Sequence, residues 1–277
     1  MSNAEQVEYW NGEAGNNWVA QAESLDLMLH DLVGALLDRA ALRHGQRVFD
    51  IGCGSGATTL AAQERVGPNG QAIGLDISKQ LLRNAQRRAS EKKSPASFIE
   101  ADASTWTTDT KADAIISRFG VMFFDEPVTT FANMRKLLTQ NGTMTLACWR
   151  SPKENDIGGG VMSATAHLFT PPATKPDPTA PGPFALSDQA YFDSILSKAR
   201  WRDVHFEKWD AHLPLPFDTA RENAIALSQM GGPAKMAREQ NVPREKVVEA
   251  LTKFLEQRVD GQRYYLIGAV WIVSARA

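Results

Sequence analysis

The apolar positions of this chain change period along its length. Residues 48–51, 71–76, 97–100, 112–117 and 143–149 are short runs of strand length, rich in apolar residues and bounded by Gly, Asn, Asp or Pro. Between them the spacing turns helical. Leu25, Met28, Leu29, Leu32, Val33, Leu36 and Leu37 predict one helix over 25–42. Residues 57–66 predict a second, closed by Gly67-Pro68, and residues 79–90 a third behind a Ser78 cap. Residues 125–138 predict a fourth, with Asp125, Glu126 and Pro127 at its start, and Asn141-Gly142 then reads as the turn into the fifth strand. Alternating strands and helices point to an open α/β sheet. Past residue 150 the alternation fails. Gly158-Gly159-Gly160 leads into a helix-like 161–169, and six prolines fall between Pro171 and Pro183. That stretch is too long for an ordinary connection, and long loops in compact domains serve as lids or binding loops. A helix over 186–199, a strand over 204–213, helical material over 217–258 broken at Gly231-Gly232-Pro233 and Pro243, and a last strand over 264–273 complete the pattern.

One stretch organises the rest. Val48-Phe49-Asp50-Ile51 runs into Gly52-Cys53-Gly54-Ser55-Gly56 and then into the helix at Ala57. Strand, glycine turn and helix form the opening of a nucleotide-type site, because glycines let a ligand lie directly against the backbone. Gly52-x-Gly54-x-x-Ala57 loosely fits a dinucleotide fingerprint. Asp50 argues against it, since a carboxylate at the strand's end repels a pyrophosphate and suits a cation. Asp76 closes the second strand 24 residues past Gly52, near the offset at which an acid takes ribose hydroxyls, with Ile77 beside it.

Asp50-x-Gly52-x-Gly54-x-Gly56 after an apolar strand resembles the first motif of the class I S-adenosylmethionine-dependent methyltransferases. The resemblance covers residues 5–150 and implies a Rossmann-like, doubly wound seven-stranded sheet, mostly parallel with an antiparallel last strand, plus a helical cap. It implies S-adenosylmethionine as the methyl donor, with Asp50, Gly52, Cys53 and Gly54 of the loop, and Asp76 and Ile77, as donor contacts. It implies that Asp102 takes the adenine amino group and the Ala103 N–H a ring nitrogen. It also places Ser117 and Arg118 against the methionine part. Tyr9-x-x-Gly12-Glu13-Ala14-x-x-x-Trp18 is similar to the N-terminal arm of glycine N-methyltransferase, which implies Tyr9 and Trp18 as donor contacts; the core is similar to the quinone-biosynthesis methyltransferases. Phe119, Met122 and His167 are the candidates for the acceptor side. Gln140-Asn141-Gly142 stands where the family has Pro-Gly-Gly.

Composition narrows the partners. A net charge of −2 gives no electrostatic footprint for nucleic acid. No apolar run spans a membrane, and two cysteines, Cys53 and Cys148, make neither a disulfide framework nor a metal spacing. The expectation is a cytoplasmic enzyme with a small-molecule acceptor and no metal, nucleic acid or membrane partner; a homodimer stays open. One domain over 1–277 is expected: arm and helix 1–44, donor-binding core 45–150, cap insertions 151–186 and 214–260, last strand 261–277. His30, His167, His205 and His212 are the histidine candidates for a base, and none is singled out, so catalytic residues are not assigned. The reaction expected is in-line methyl transfer to an O, N or C nucleophile of a partly apolar molecule. A nicotinamide-dependent oxidoreductase and a non-catalytic S-adenosylmethionine-binding protein are the rivals.

Overall fold

The structure is a computed structural model that describes residues 3–171 and 177–277. Four helices open the chain: α1 (Asn3–Asn11), α2 (Glu13–Ala20), α3 (Ala22–Met28) and α4 (His30–Ala40). Alternation follows through β1 (Arg47–Ile51), α5 (Ala57–Val66), β2 (Gln71–Asp76), α6 (Lys79–Glu91), β3 (Ser97–Glu100), β4 (Ala112–Arg118), α7 (Pro127–Lys136) and β5 (Leu138–Trp149). The second half holds α8 (Val161–Thr165), α9 (Gln189–Lys198), β6 (Arg202–Pro214), α10 (Ala220–Leu227), α11 (Gly231–Glu239), α12 (Arg244–Leu255), β7 (Val259–Asp260) and β8 (Arg263–Arg276).

The sheet order is β3-β2-β1-β4-β5-β8-β6, with β7 paired to β8. The first five strands are parallel, and β8 lies antiparallel between β5 and β6. This is the expected doubly wound sheet; the eighth strand is the two-residue β7 in a hairpin with β8. Period-2 alternation shows why the central strands read as nearly continuous apolar runs. Phe49, Ile51, Leu75 and Ile115 face the larger core, whereas Val48, Ala72, Ala114 and Ile116 face a second one with Leu37, Ala62 and Val66. From β1 the chain steps outward to β2 and β3, then returns to β4 on β1's other side. The order therefore reverses between β1 and β4, where open α/β sheets hold ligands beyond the carboxyl ends of their strands.

Two local expectations are corrected. The helix read over 25–42 is two, because the backbone bends at Leu29 (φ −107°, ψ 13°) while the apolar stripe continues across the bend. Asn141-Gly142 is not a turn. β5 starts at Leu138 and absorbs it as an irregularity, its pairing with β4 jumping from Ala112↔Leu138 to Ala114↔Thr143. The helical material of 217–258 is broken where expected: α10 ends at Leu227 and Gly231-Gly232-Pro233 opens α11, with Gly231 at φ +71° and Pro233 in the first turn, where its missing N–H costs nothing, and Pro243 precedes α12.

The segments 151–186 and 214–260 carry α8, α10, α11 and α12, and α12 packs against α8, α10 and α11. Of the proline-rich stretch, Pro172 and Pro176 lie outside the described residues.

Candidate functional site

Two loops meet at the switch point. The loop after β1 carries Gly52, Gly54 and Gly56, all at positive φ (+66°, +53° and +81°). The loop after β4 carries Phe119 and Gly120. Their backbones touch: a Cβ on Gly52 would lie 2.6 Å from the Gly120 Cα, and one on Gly120 would lie 2.4 Å from the Ile51 carbonyl oxygen. Ser117 locks this crossing by donating its hydroxyl to the Ile51 carbonyl at 2.6 Å and accepting from the Gly120 N–H at 3.2 Å. Phe119, just before Gly120, is held at φ +64°, a conformation that bulky residues avoid. Its ring stacks on Trp149 at 4.1 Å between centroids and 10° between planes, joining the carboxyl ends of the neighbouring strands β4 and β5.

Charged groups are arranged around the crossing. Asp50 is buried, and its Oδ2 accepts the Thr59 hydroxyl at 2.6 Å. Burial pushes the Asp50 carboxyl up to about 7, against the opposing pull of the Thr59 hydrogen bond and of Arg118. Asp76 accepts from the Gly54 N–H and the Ser78 N–H, each at 2.8 Å, leaving a lone pair free on each oxygen. Burial raises its carboxyl, and these N–H groups hold the rise down. Arg118 is mostly buried, and burial lowers its basicity while Asp26 and Asp50 support it. Asp26 of α3 lies between Arg118, at 3.7 Å, and Arg88, which pairs with it closely and also donates to the Ser55 carbonyl at 2.8 Å. Burial holds the Cys53 thiol well up, with Asp76 and Asp50 adding to it. Cys53 is thus a small packed residue of the loop rather than a thiolate.

Satisfied groups and unsatisfied ones sort themselves by place. Among the described residues, the buried side-chain atoms without a partner are both amide atoms of Gln6, Oδ1 of Asp50, Nη1 of Arg118 and the single Nε atoms of Arg39, Arg135 and Arg150. Native interiors rarely leave such groups unpaired. An acid and a guanidinium, each with one unpaired atom and coupled to one another electrostatically, flank the glycine loop. That pair fits the ammonium and carboxylate of an amino-acid head group.

The N-terminal helices cover the carboxyl edge. Asn3 donates its amide to Asp102 Oδ2, while Asp102 Oδ1 takes the Ser104 N–H and hydroxyl at 2.8 and 2.7 Å. Asn11 spans the turn after β2, donating to the Ile77 carbonyl at 3.0 Å and accepting from the Lys79 N–H at 2.9 Å. The Trp10 carbonyl accepts from the Ser78 hydroxyl and the Gln80 amide at 2.7 and 3.1 Å. Gly15 makes this docking feasible, since a Cβ there would lie 2.1 Å from both the Gln80 Nε2 and the Trp10 carbonyl.

The three aromatics of the arm are not equivalent. Tyr9 and Trp18 are 45% and 36% exposed, and both meet Trp10 edge-on. It is Trp10 that reaches the sheet, edge-on to Phe123 at 5.4 Å. Position 9 points about 100° away from position 10 on a helix, so Tyr9 stands off the surface that Trp10 meets. On the acceptor side, His167 is exposed on the short turn Ala166–Leu168, so it does not serve as a wall of the crevice. Met122 is 2% exposed within the core, and its carbonyl accepts the Gly182 N–H at 3.1 Å. Ala103 is buried after β3, with its carbonyl taking the Asn133 amide at 3.0 Å. Sequence reading missed Gln6, Trp10, Asn11, Asp26, Thr59 and Trp149. Only Trp149 carried a signal, its place at the carboxyl end of the strand next to β4.

The site and the fold define a class, and comparison with known proteins agrees with it. Residues 48–142 match the family model described as a methyltransferase domain. The chain is 26% identical over 175 residues to a trans-aconitate 2-methyltransferase of Rhizobium etli, covering 61% of this chain and 63% of that protein. It is 30% identical over 134 residues to an aklanonic acid methyltransferase of Streptomyces sp. strain C5, covering 48% and 56%. The matches thus span less than two thirds of either relative. A SAM-dependent methyltransferase of Aquifex aeolicus superposes with a TM-score of 0.51 at 12% identity, covering 99% of both chains. Residues 48–142 thus form a methyltransferase domain, and the chain has the fold of an S-adenosylmethionine-dependent methyltransferase.

Proposed function

We propose that this protein transfers a methyl group from S-adenosylmethionine to a small, partly apolar acid by in-line displacement. The observation that carries the reading is the pair of unpartnered buried atoms at the glycine loop, Asp50 Oδ1 and Arg118 Nη1. A zwitterionic head group satisfies both at once, its ammonium on Asp50 and its carboxylate on Arg118. When bound, the donor supplies a methyl group already activated on a sulfonium. The residues of this chain then bind, orient and exclude water. Asp76 offers its two free lone pairs to the ribose hydroxyls while its other bonds hold the loop at Gly54 and the turn at Ser78. Asp102 offers the second lone pair of Oδ2, beside the Asn3 amide, to the adenine amino group, and the buried Ala103 its N–H to the ring. Phe119, stacked on Trp149, gives the acceptor an apolar wall at the switch point. Holding nucleophile and methyl in line in a water-excluded crevice accounts for the rate.

Both curated relatives act on acids, which guides the choice of acceptor. The test is calorimetry with S-adenosylmethionine, S-adenosylhomocysteine and NAD, followed by mass spectrometry of a screen that starts from trans-aconitate and aklanonic acid. The expected result is binding of the two sulfur ligands, no binding of NAD, and at least one methylated product. Binding of NAD alone would overturn the reading.

A further inference from the structure

Among the described residues, Gln6 is the buried side chain that leaves two polar atoms unpartnered. It is 2% exposed, and neither its amide nitrogen nor its amide oxygen has a partner among the described residues. A buried carboxamide with both ends unsatisfied is costly, and an ordinary structural residue avoids it.

Its place follows from its helix. At 100° per residue, Asn3, Gln6 and Trp10 fall within about 60° of one another on α1. Asn3 touches Asp102 just after β3, and Trp10 touches Phe123 just after β4. In the sheet, β2 and β1 lie between β3 and β4. Gln6 stands about 4.5 Å along the axis from Asn3 and about 6 Å from Trp10. With Asn3 at Asp102 after β3 and Asn11 at the turn after β2, Gln6 lies between them, over the carboxyl ends that carry Asp102 and Asp76. The other side of α1 faces away: Ala4, Val7, Glu8 and Asn11 line an outer groove of about 510 Å³ with Lys79, Gln80 and Arg83 of α6. Asn11 and the Trp10 carbonyl clamp the helix to the turn after β2, so the inward direction of Gln6 is fixed.

We infer that Gln6 is a donor-specificity residue, its carboxamide hydrogen-bonding the nucleoside part of the methyl donor from the arm side, opposite Asp76. An amide both donates and accepts, which matches a ribose hydroxyl or an adenine edge. This rests on the proposed function, because it takes S-adenosylmethionine as the ligand.

The experiment uses the full chain and two probes: S-adenosylhomocysteine, and 5′-methylthioadenosine, which lacks the amino-acid head. Affinities come from calorimetry and stability from thermal unfolding without ligand. Gln6→Leu is expected to weaken both probes about tenfold or more, while the ligand-free melting temperature stays level or rises because an unpaired buried amide is gone. Arg118→Met is expected to weaken only S-adenosylhomocysteine. Wild-type affinity for both probes in Gln6→Leu would overturn the inference while leaving the proposed function standing. Failure of the wild-type protein to bind either probe would overturn both. A second measurement needs no folded variant for its readout. In ¹⁵N-labelled wild-type protein, the Gln6 side-chain NH₂ resonance, assigned from its absence in Gln6→Glu, shifts on saturation with 5′-methylthioadenosine; an unmoved resonance would overturn the inference.

Discussion

The crossing at the glycine loop and the segment just past β5 are both buried and polar, but they are finished differently. Just past β5, both amide atoms of Asn155 are used. Its Nδ2 donates to the Ala269 carbonyl at 3.0 Å and to the Arg150 and Ser151 carbonyls at 3.2 Å, and its Oδ1 accepts the Ala269 N–H at 2.7 Å. Asp156 beside it accepts from Arg258 Nε at 2.9 Å and from the Ile267 N–H at 2.8 Å. One side chain thus completes the edge of β8, and the next ties the turn after α12 to the same strand. Past β5 the one unpaired buried side-chain atom among the described residues is Arg150 Nε, whose guanidinium still pairs with Asp210 and Glu154, whereas around the glycine loop and its covering arm Gln6, Asp50 and Arg118 all keep unpaired atoms. A polar cluster that is fully paired specifies structure, whereas one left open specifies a ligand.

The sharpest way to break this comparison is Asn155→Ala. Several hydrogen bonds are lost and the Ala269 N–H is left buried. At about 1 kcal/mol per bond, with the cost of an unsatisfied group added, the loss of stability is expected to be about 2–4 kcal/mol. Affinity for S-adenosylhomocysteine should stay within about twofold in the folded protein. Chemical denaturation and calorimetry check the two halves of that expectation. A large loss of affinity at unchanged stability would reverse the roles given to the two regions.

Asp50 supplies the next test, through pH. Its folded carboxyl is raised to about 7 from an ordinary 3.8. Between those values the folded state holds a proton that the unfolded state has lost. This group's contribution therefore stabilises the ligand-free protein near pH 4 and is lost as pH rises to about 7, at up to about 1.4 kcal/mol per pH unit. Donor binding runs the other way, because the ammonium needs the ionised acid, so affinity should rise with pH through about 7. Asp50→Asn should flatten both slopes, raise stability at pH 8 and weaken S-adenosylhomocysteine about tenfold or more. Parallel slopes in wild type and variant, measured by denaturation and calorimetry across pH 5–8, would take Asp50 out of the site.

The smallest effect belongs to Asn11. It touches no reacting group but bridges the Ile77 carbonyl and the Lys79 N–H beside Asp76. Asn11→Ala removes two bonds to a part-buried turn, worth about 1–2 kcal/mol. Part of that should appear as a threefold to tenfold weaker donor and part as faster proteolysis within residues 3–20. Unchanged cleavage and affinity would leave the arm independent of the donor site.

Much of the core was legible because local signals coincide there. The run Val48 to Ile51, the glycine turn and the helix at Ala57 each have a short-range cause, and Asp50, Asp76 and Asp102 mark the ends of three successive strands. The arm was read less well. Its aromatics were visible, but which of Tyr9, Trp10 and Trp18 faces the sheet depends on the arm being helical and on where that helix docks. Nothing local distinguishes Gln6 from other polar residues of a polar arm, and Asp26 gains meaning only between Arg88 and Arg118, far away in sequence.

The sequence by itself determined the order of strands and helices, the glycine turn and the acids that follow the strands, because period, capping and turn chemistry act over a few residues. Only the tertiary structure decided that Gly52 and Gly120 must both be glycine, that Phe119 is stacked on Trp149 at a positive φ, and that Gln6, Asp50 and Arg118 keep open valences around one crevice. Those facts are made by contacts between segments tens of residues apart, and whether a buried polar atom has a partner is a property of the assembled interior rather than of any stretch of chain.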